Sequence, residues 1–388
     1  MSPSEALREL LAVSHHDVLS VSLDVDPTRP EHLTVPPAYR IWLRNTLRST
    51  LEALPRGTRK TARLSAGRIL DYVKTRRHLG RGLAVYAGPQ VWLAFELPVP
   101  LENRVAYGQP DTWPLMWAVH EFEPYMILAV DRERARISTA YLGRITIEEK
   151  DSLDLDVTDW KFKSGRQRTA AMAAGVGASR GVQRDTFDAR VDANIRRFWS
   201  GVADAAARLA DERHVDRLII GGPEEAAAAV KSLLPARCQR NVVAVVPLAG
   251  WLPEAEVLAH TLPVAKEEQR RRDEALVASV LDGAASGGRA VVGPDATLDA
   301  LAQGQVDTVV AHLDLDIPAW SCADCSTVVI TNADACPACG GLLGRSSLRQ
   351  LLPALAVRSA ASLRLVRAAE HGGLEHHGGL GALLRYVH

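Results

Sequence analysis

The chain has 388 residues, and its 46 Lys and Arg balance 46 Asp and Glu, for a net charge of zero. At roughly 150 residues per domain this length predicts two to three domains. With 47% hydrophobic and 24% charged residues, the composition excludes wholesale disorder, a collagen-like fibre and a disulfide-rich miniprotein. No global basic excess points to nucleic acid, so any such surface must be a local patch.

Residues 1–13 lack a basic stretch leading into a long apolar core and read as a short amphipathic helix, not a signal peptide. Residues 18–27 read as a strand ending in a turn, and residues 41–54 carry apolar side chains at helical spacing. GLAVYAG from Gly82 and VWLAFELP from Val91 predict paired strands with Gly-Pro in the turn, with NRVAYG as a third strand. Residues 109–114, with two prolines, mark a boundary. YMILAVDRERARISTAYLG, from Tyr125, is a strand, a charged turn and a strand. A long helix over 188–213 follows, then the strand RLIIGGP, a helix over 224–234 and the strand NVVAVVPL. Beyond residue 265 the pattern is a charged helix, the strand AVVGP, a helix with Asp295 as N-cap and Gly304 as C-cap, and the strand VDTVVAHLDLD. A helix from Ser347 and the strand SLRLV complete it.

The expected fold class is α/β in three domains. These are an N-terminal α/β domain (1–122), a central domain (123–262) with a mixed sheet and a long helix, and a C-terminal α/β domain (263–388) with a zinc ribbon inserted at 320–342. The longest apolar stretch, residues 242–253, falls well short of the roughly 20 residues that span a bilayer. No membrane partner is expected, and the expected location is the cytoplasm.

Cys322-Ala-Asp-Cys325 and Cys336-Pro-Ala-Cys339 form a double C-x-x-C. Each such turn offers two thiolates from one tight knuckle, and zinc takes four in a tetrahedron. STVVITNADA, between the knuckles, can form a short hairpin. Four protein ligands leave no open position for water or substrate, so this zinc is expected to be structural. The bland alternatives are free buried cysteines or disulfides. Cys238 stands apart and reads as a small buried hydrophobe.

Between residues 161 and 184 stand Lys161, Lys163, Arg166, Arg168, Arg180 and Arg184, interrupted by TAAMAAGVGASRGVQ and by no acidic residue. A loop this long is usually functional or disordered, and arginines without acidic neighbours seek phosphate. A solvated loop whose charge serves only solubility is the alternative. Phe187, Val191, Ile195, Phe198 and Val202 then fall on one helical face. This places Gly181-Val182-Gln183 just before an anchored helix, where a glutamine can orient a water but cannot act as a strong base.

The three-unit order, this Gly-x-Gln and the C-terminal GGLGALLRY resemble the archaeal and eukaryotic class I peptide release factors and their Pelota relatives, and more closely the bacterial members of that superfamily. VDTVVAHLDLD and EFEPYMILAVDRERARIS resemble segments of the same family, so the likeness spans about residues 115–388. It implies a ribosome-associated protein that enters the A site and hydrolyses peptidyl-tRNA for rescue or quality control. Gln183 with Gly181 would be the hydrolytic tip, and the six cations above would contact rRNA and tRNA. The ribosome is the implied partner, with room for a translational GTPase.

The family's tip is Gly-Gly-Gln, whereas Val182 stands at the second glycine, and β-branched residues disfavour positive φ. Gln167 is a second possible tip, with Gln183 preferred for its place before the helix. No Asn-Ile-Lys-Ser or Tyr-x-Cys-x-x-x-Phe segment occurs in the first 120 residues, so stop-codon reading has no support. The alternative is a non-catalytic, Pelota-like factor that occupies idle ribosomes. A third reading is a nuclease using Asp154, Asp156, Asp314 and Asp316, although such alternating carboxylates are more often strand-edge solubility residues. His371, His376 and His377 read as loop residues and Gly221-Gly222-Pro223 as a turn.

Overall fold

The computed structural model describes residues 7, 10–11, 17–76, 79–152, 179–248, 252–367 and 373–386, with the backbone alone at 152 and 179–190. The chain divides into two compact units, one formed by residues 1–123 with 269–388 and the other by residues 124–268.

In the first unit, strands β1 (Val18–Asp24), β2 (Gly82–Ala87), β3 (Trp92–Leu97) and β4 (Arg104–Gly108) form an antiparallel sheet in the order β3-β2-β1-β4. The third expected strand therefore pairs with β1 and not with β3. Helices α1 (Ala38–Ala53) and α2 (Arg56–Thr75) pack Leu43, Leu47, Ala66, Ile69 and Val73 on Leu19, Val21 and Leu23. Leu54 before Pro55 is extended, as pre-proline sterics demand, and this ends α1. Arg59 Nη2 donates to the carbonyls of Glu52 (2.8 Å) and Leu54 (2.7 Å), meeting acceptors orphaned at that helix end.

Residues 109–114, read as a boundary, lie within the first unit. Asp111, Thr112 and Trp113 are buried, and the Asp111 amide donates to Ser20 Oγ at 2.9 Å. Helix α3 (Trp113–Glu121) starts there.

The second unit carries β5 (Tyr125–Val130), β6 (Arg134–Tyr141), β7 (Arg144–Ser152), α4 (Ser179–Glu212), β8 (Leu218–Gly221), α5 (Glu224–Leu233), α6 (Ala236–Arg240) and β9 (Val242–Val246). Its mixed sheet has the order β7-β6-β5-β8-β9, antiparallel through β5 and parallel from β5 to β9. Ile195, Phe198 and Val202 of α4 are buried against one sheet face, with Val191 beside them. Gly222 turns the chain at φ +148, where a Cβ would lie 2.0 Å from the Val130 carbonyl oxygen, so this turn requires glycine. Helix α7 (Glu254–Ala285) starts in this unit, runs through Pro263 without a break, and ends in the first.

The remainder of the first unit contains β10 (Ala290–Val292), α8 (Pro294–Ala302), β11 (Val306–His312), β12 (Pro318–Cys322), β13 (Val328–Val329), β14 (Leu343–Ser347), α9 (Leu348–Arg358), β15 (Ser362–Val366) and β16 (Leu380–Leu384). A sheet in the order β10-β16-β11-β15 has one parallel pair, β11 with β15. Gly293 is the N-cap of α8 and Pro294 its first residue, so Asp295 lies in the first turn instead of capping it.

Candidate functional site

Strands β12, β13 and β14 form a separate three-stranded sheet in the order β13-β12-β14. The expected hairpin between the cysteine pairs is reduced to Val328–Val329, which pairs with Trp320 and Ser321. Cys322, Cys325, Cys336 and Cys339 bring four Sγ atoms within 4.8 Å of one another. Cys322 to Cys339 and Cys325 to Cys336 are each 3.5 Å apart. Sulfurs around a tetrahedral ion at Zn–S of about 2.3 Å stand roughly 3.8 Å apart, so the donor set fits one metal ion.

The two knuckles share one hydrogen-bond design. Ser326 N–H donates to the Cys322 carbonyl (3.0 Å) and Cys322 N–H to that of Thr327 (2.9 Å). In the other, Gly340 N–H donates to Cys336 and Cys336 N–H to Gly341, both at 2.8 Å. The residue after each second cysteine is left-handed, Ser326 at φ 59 and Gly340 at φ 74. These bonds aim the two thiol pairs at a common point.

Among the described residues these cysteines are the one group of three or more candidate metal ligands. The Asp pairs do not form another. Strand β11 ends at His312, so Asp314 and Asp316 lie beyond it and not on a strand face, and Asp154 and Asp156 lie outside the described residues. Cys238 is buried and burial pushes its thiol up, as suits a core residue.

Lys161, Lys163, Arg166, Arg168 and Gln167 lie outside the described residues. Arg180, Gly181, Val182, Gln183 and Arg184 fall in the opening turns of α4, which begins at Ser179 and not at residue 188. The sequence reading starts the helix at its apolar stripe. One internal glycine costs only about 1 kcal/mol, and residues 179–187 hold no proline.

A charged surface that the sequence reading passed over lies on α1 and α2. Residues 38–76 hold ten Lys and Arg against Glu52 and Asp71 alone. A charge count per helix, not per chain, would have found it. At one end of this pair a cleft of about 690 Å³ is lined by His32, Tyr39, Arg40, Lys74 and Arg76, among others.

Residues 110–266 match the model of the Bacterial archaeo-eukaryotic release factor family 10. Over this stretch the chain is similar to release factors. Among solved structures, the archaeal translation termination factor aRF1 matches at 17% identity over 99% of this chain and 97% of that one, with a TM-score of 0.26. Pelota of Archaeoglobus fulgidus matches at 14% over 79% and 80%, with a TM-score of 0.33. Dom34 of S. cerevisiae, a translation termination-like factor involved in RNA quality control pathways and interacting with Hbs1, matches at 8% over 77% and 74%, with a TM-score of 0.41. No curated protein matches. No described helix is long and apolar enough to cross a membrane.

Proposed function

We propose that the protein is a ribosome-associated factor of the release-factor superfamily that acts in rescue or quality control by occupying the A site. The observation that supports this reading is the family match over residues 110–266, which spans nearly all of the second unit. Residues 123–262 then form the release-factor-like domain, flanked by domains at 1–122 and 263–388. Lys161, Lys163, Arg166, Arg168, Arg180 and Arg184 contact rRNA and tRNA phosphates, and a translational GTPase is a further candidate partner. Zinc is the metal assigned to Cys322, Cys325, Cys336 and Cys339. With four thiolates it has no open position, and its role is to hold the ribbon.

Occupancy is preferred to hydrolysis because of the tip. Helical backbone at residues 181–183 and a β-branched Val182 leave little of the freedom that a glycine pair gives. The retained Gln183 supports a second reading, in which it positions a water for attack on the peptidyl-tRNA ester.

Co-sedimentation with ribosomes, followed by release of labelled peptide from stalled complexes, separates the readings. Occupancy predicts binding without release, and Gln183→Ala then changes neither. Release that falls at least tenfold in Gln183→Ala while binding holds would establish hydrolysis, because such a tip acts on the transition state alone. No co-sedimentation at low salt would remove both.

A further inference from the structure

The anomaly lies on the helical pair α1–α2. Elsewhere in the described chain, arginines are repeatedly matched to acids: Arg29 to Asp24, Arg104 to Asp111, Arg208 to Glu149, Arg213 to Glu148 and Arg237 to Asp211. On the pair, four cations serve the fold. Arg40 donates to the Val73 carbonyl at 3.0 Å, Arg59 caps α1, Arg68 lies 4.6 Å over the Trp92 ring, and Arg76 approaches Glu96 at 3.9 Å. The other six are Arg44, Arg48, Arg56, Lys60, Arg63 and Lys74. All are exposed, and none makes an ion pair among the described residues.

Their spacing puts them in rows. Arg44 and Arg48 are one turn apart on α1. Arg56, Lys60, Arg63 and Lys74 are separated by 4, 3 and 11 residues, which returns each to the same side of α2, a row about 27 Å long. Like charges one turn apart destabilise a helix by a few tenths of a kcal/mol each. Within the two helices only Glu52, four residues from Arg48, and Asp71, three from Lys74, oppose that repulsion, and neither forms an ion pair with the rows among the described residues, so folding stability does not account for them. A polyanion would offset it.

Four of the six are arginines, whose planar fork matches phosphate oxygens with two hydrogen bonds. Between them stand the exposed polar Asn45 and Ser49. Of large apolar side chains, Ile41 and Leu64 are exposed on these helices, too few for the apolar face that lies in a lipid headgroup layer. We propose that the outer face of α1–α2 binds the phosphate backbone of folded RNA without reading its sequence. This inference rests on the reading of the protein as a ribosome-associated factor, and it assigns to residues 38–76 an RNA contact of their own.

The test uses the full chain, a fluorescein-labelled RNA stem-loop, and vesicles of equimolar phosphatidylcholine and phosphatidylserine, titrated between about 50 and 200 mM salt. The variant Arg44→Ala, Arg48→Ala, Lys60→Ala, Arg63→Ala removes only exposed, unpaired side chains, and its far-UV spectrum and melting temperature are checked against wild type. Wild type is expected to bind the stem-loop. The variant is expected to bind at least about 30-fold more weakly near 0.1 M salt, with a salt slope shallower by about three units, at 0.7–0.9 per lost phosphate contact. Replacing the three arginines by lysine is expected to restore most of the slope. A charge-matched control, alanine at Arg132, Arg208, Arg213 and Arg237, is expected to stay within about threefold of wild type.

Equal affinity and slope in the four-residue variant overturns the inference. So does equal loss in the control, and so does binding of wild type to the vesicles but not to the stem-loop. Ribosome co-sedimentation of the same proteins separates the two levels. If wild type and variant sediment alike, the ribosome reading stands and this face is not its contact. If wild type binds the stem-loop through these residues but no ribosome, the face stands and the ribosome reading falls.

Discussion

Asp26 is 2% exposed, close to the end of β1. Burial alone would raise its carboxyl, but a hydrogen bond from Arg81 Nε at 2.8 Å and the amide and hydroxyl of Thr28 hold it down at about 2. A carboxyl depressed in the folded state stabilises fully above its unfolded value of 3.8, and that contribution disappears as pH falls toward about 2. Arg81 is half exposed, so solvent screening trims the gain to about 1–2 kcal/mol. Asp26→Asn is therefore expected to lose that amount at pH 7, with the gap to wild type closing between pH 4 and 2. Urea titrations at pH 7, 4 and 3 measure it, and a gap that stays constant across these pH values would contradict the linkage. A second residue-scale expectation concerns the two knuckles. Gly340→Ala forces a Cβ into the left-handed region and should cost about 1 kcal/mol, whereas Ser326→Gly relieves that strain and should be neutral or stabilising, apart from glycine's larger unfolded-state entropy. Chelator competition for the bound metal reads both. Of these residues only the cysteines were legible in the sequence, because a metal imposes a spacing. Asp26 and Arg81 are 55 positions apart, and nothing local announces their pairing.

At the scale of elements, apolar period decided what could be read. The stripe Ile195, Phe198, Val202 announced α4, but its first turns hold Gly181 and polar residues and carry no stripe, so the start was placed some residues late. Helix α2 escaped notice because its buried face is Ala62, Ser65, Ala66, Ile69 and Val73, of which the first three are small side chains with little hydrophobic contrast. Residues 109–114 read as a boundary because prolines and polar groups are common between domains. Their polar atoms are instead satisfied from Ser20, 91 positions away. The ribbon is the element where a metal ion at the four cysteines would matter most to stability. Its sheet consists of five-residue strands β12 and β14 with a two-residue β13, and its apolar interior is small. Metal binding is local folding free energy in such a module. Chelation, or Cys322→Ser, is expected to abolish amide protection at Trp320 and Ser321 while β5 and β8 of the other unit keep theirs. Hydrogen exchange followed by mass spectrometry makes the comparison, and unchanged protection of β12 without metal would show that the four cysteines are not what folds the ribbon.

For the whole molecule, a net charge of zero conceals segregation: a basic helical pair at one place and matched ion pairs elsewhere. Its first unit is also discontinuous in sequence, residues 1–123 with 269–388. Hydrophobic packing joins the two segments, with Trp113 and Met116 of α3 among Val309, Leu348, Leu352 and Leu380. A polar knot lies beside it. Trp113 Nε1 donates to the Leu313 carbonyl at 2.9 Å and Arg349 Nη1 to the same oxygen at 3.0 Å. Arg349 is 3% exposed, its Nε lies 3.7 Å from Asp111 Oδ1, and its guanidinium sits 5.5 Å from the Trp113 ring centre. Arg104 holds the other Asp111 oxygen at 2.7 Å. Burial lowers the Arg349 pKa, the mark of a cation taken out of water, while Asp111 pulls it back. Asp111 keeps Arg104 when Arg349 is removed, so the loss is chiefly the charged hydrogen bond to the Leu313 carbonyl, about 1.5–3 kcal/mol. Arg349→Ala is accordingly expected to destabilise the unit by about that amount, and adding Asp111→Asn to cost less than the two changes made separately. The double-mutant cycle should return a coupling of at least 1 kcal/mol. Because the knot bridges the two segments, wild type should lose protection in β1 and β11 at one urea concentration, and Arg349→Ala should lose it at two. If β1 and β11 open together in the variant and the coupling stays below about 0.5 kcal/mol, the segments are held by the apolar contacts of α3 alone, and Arg349 is a passenger in that interface.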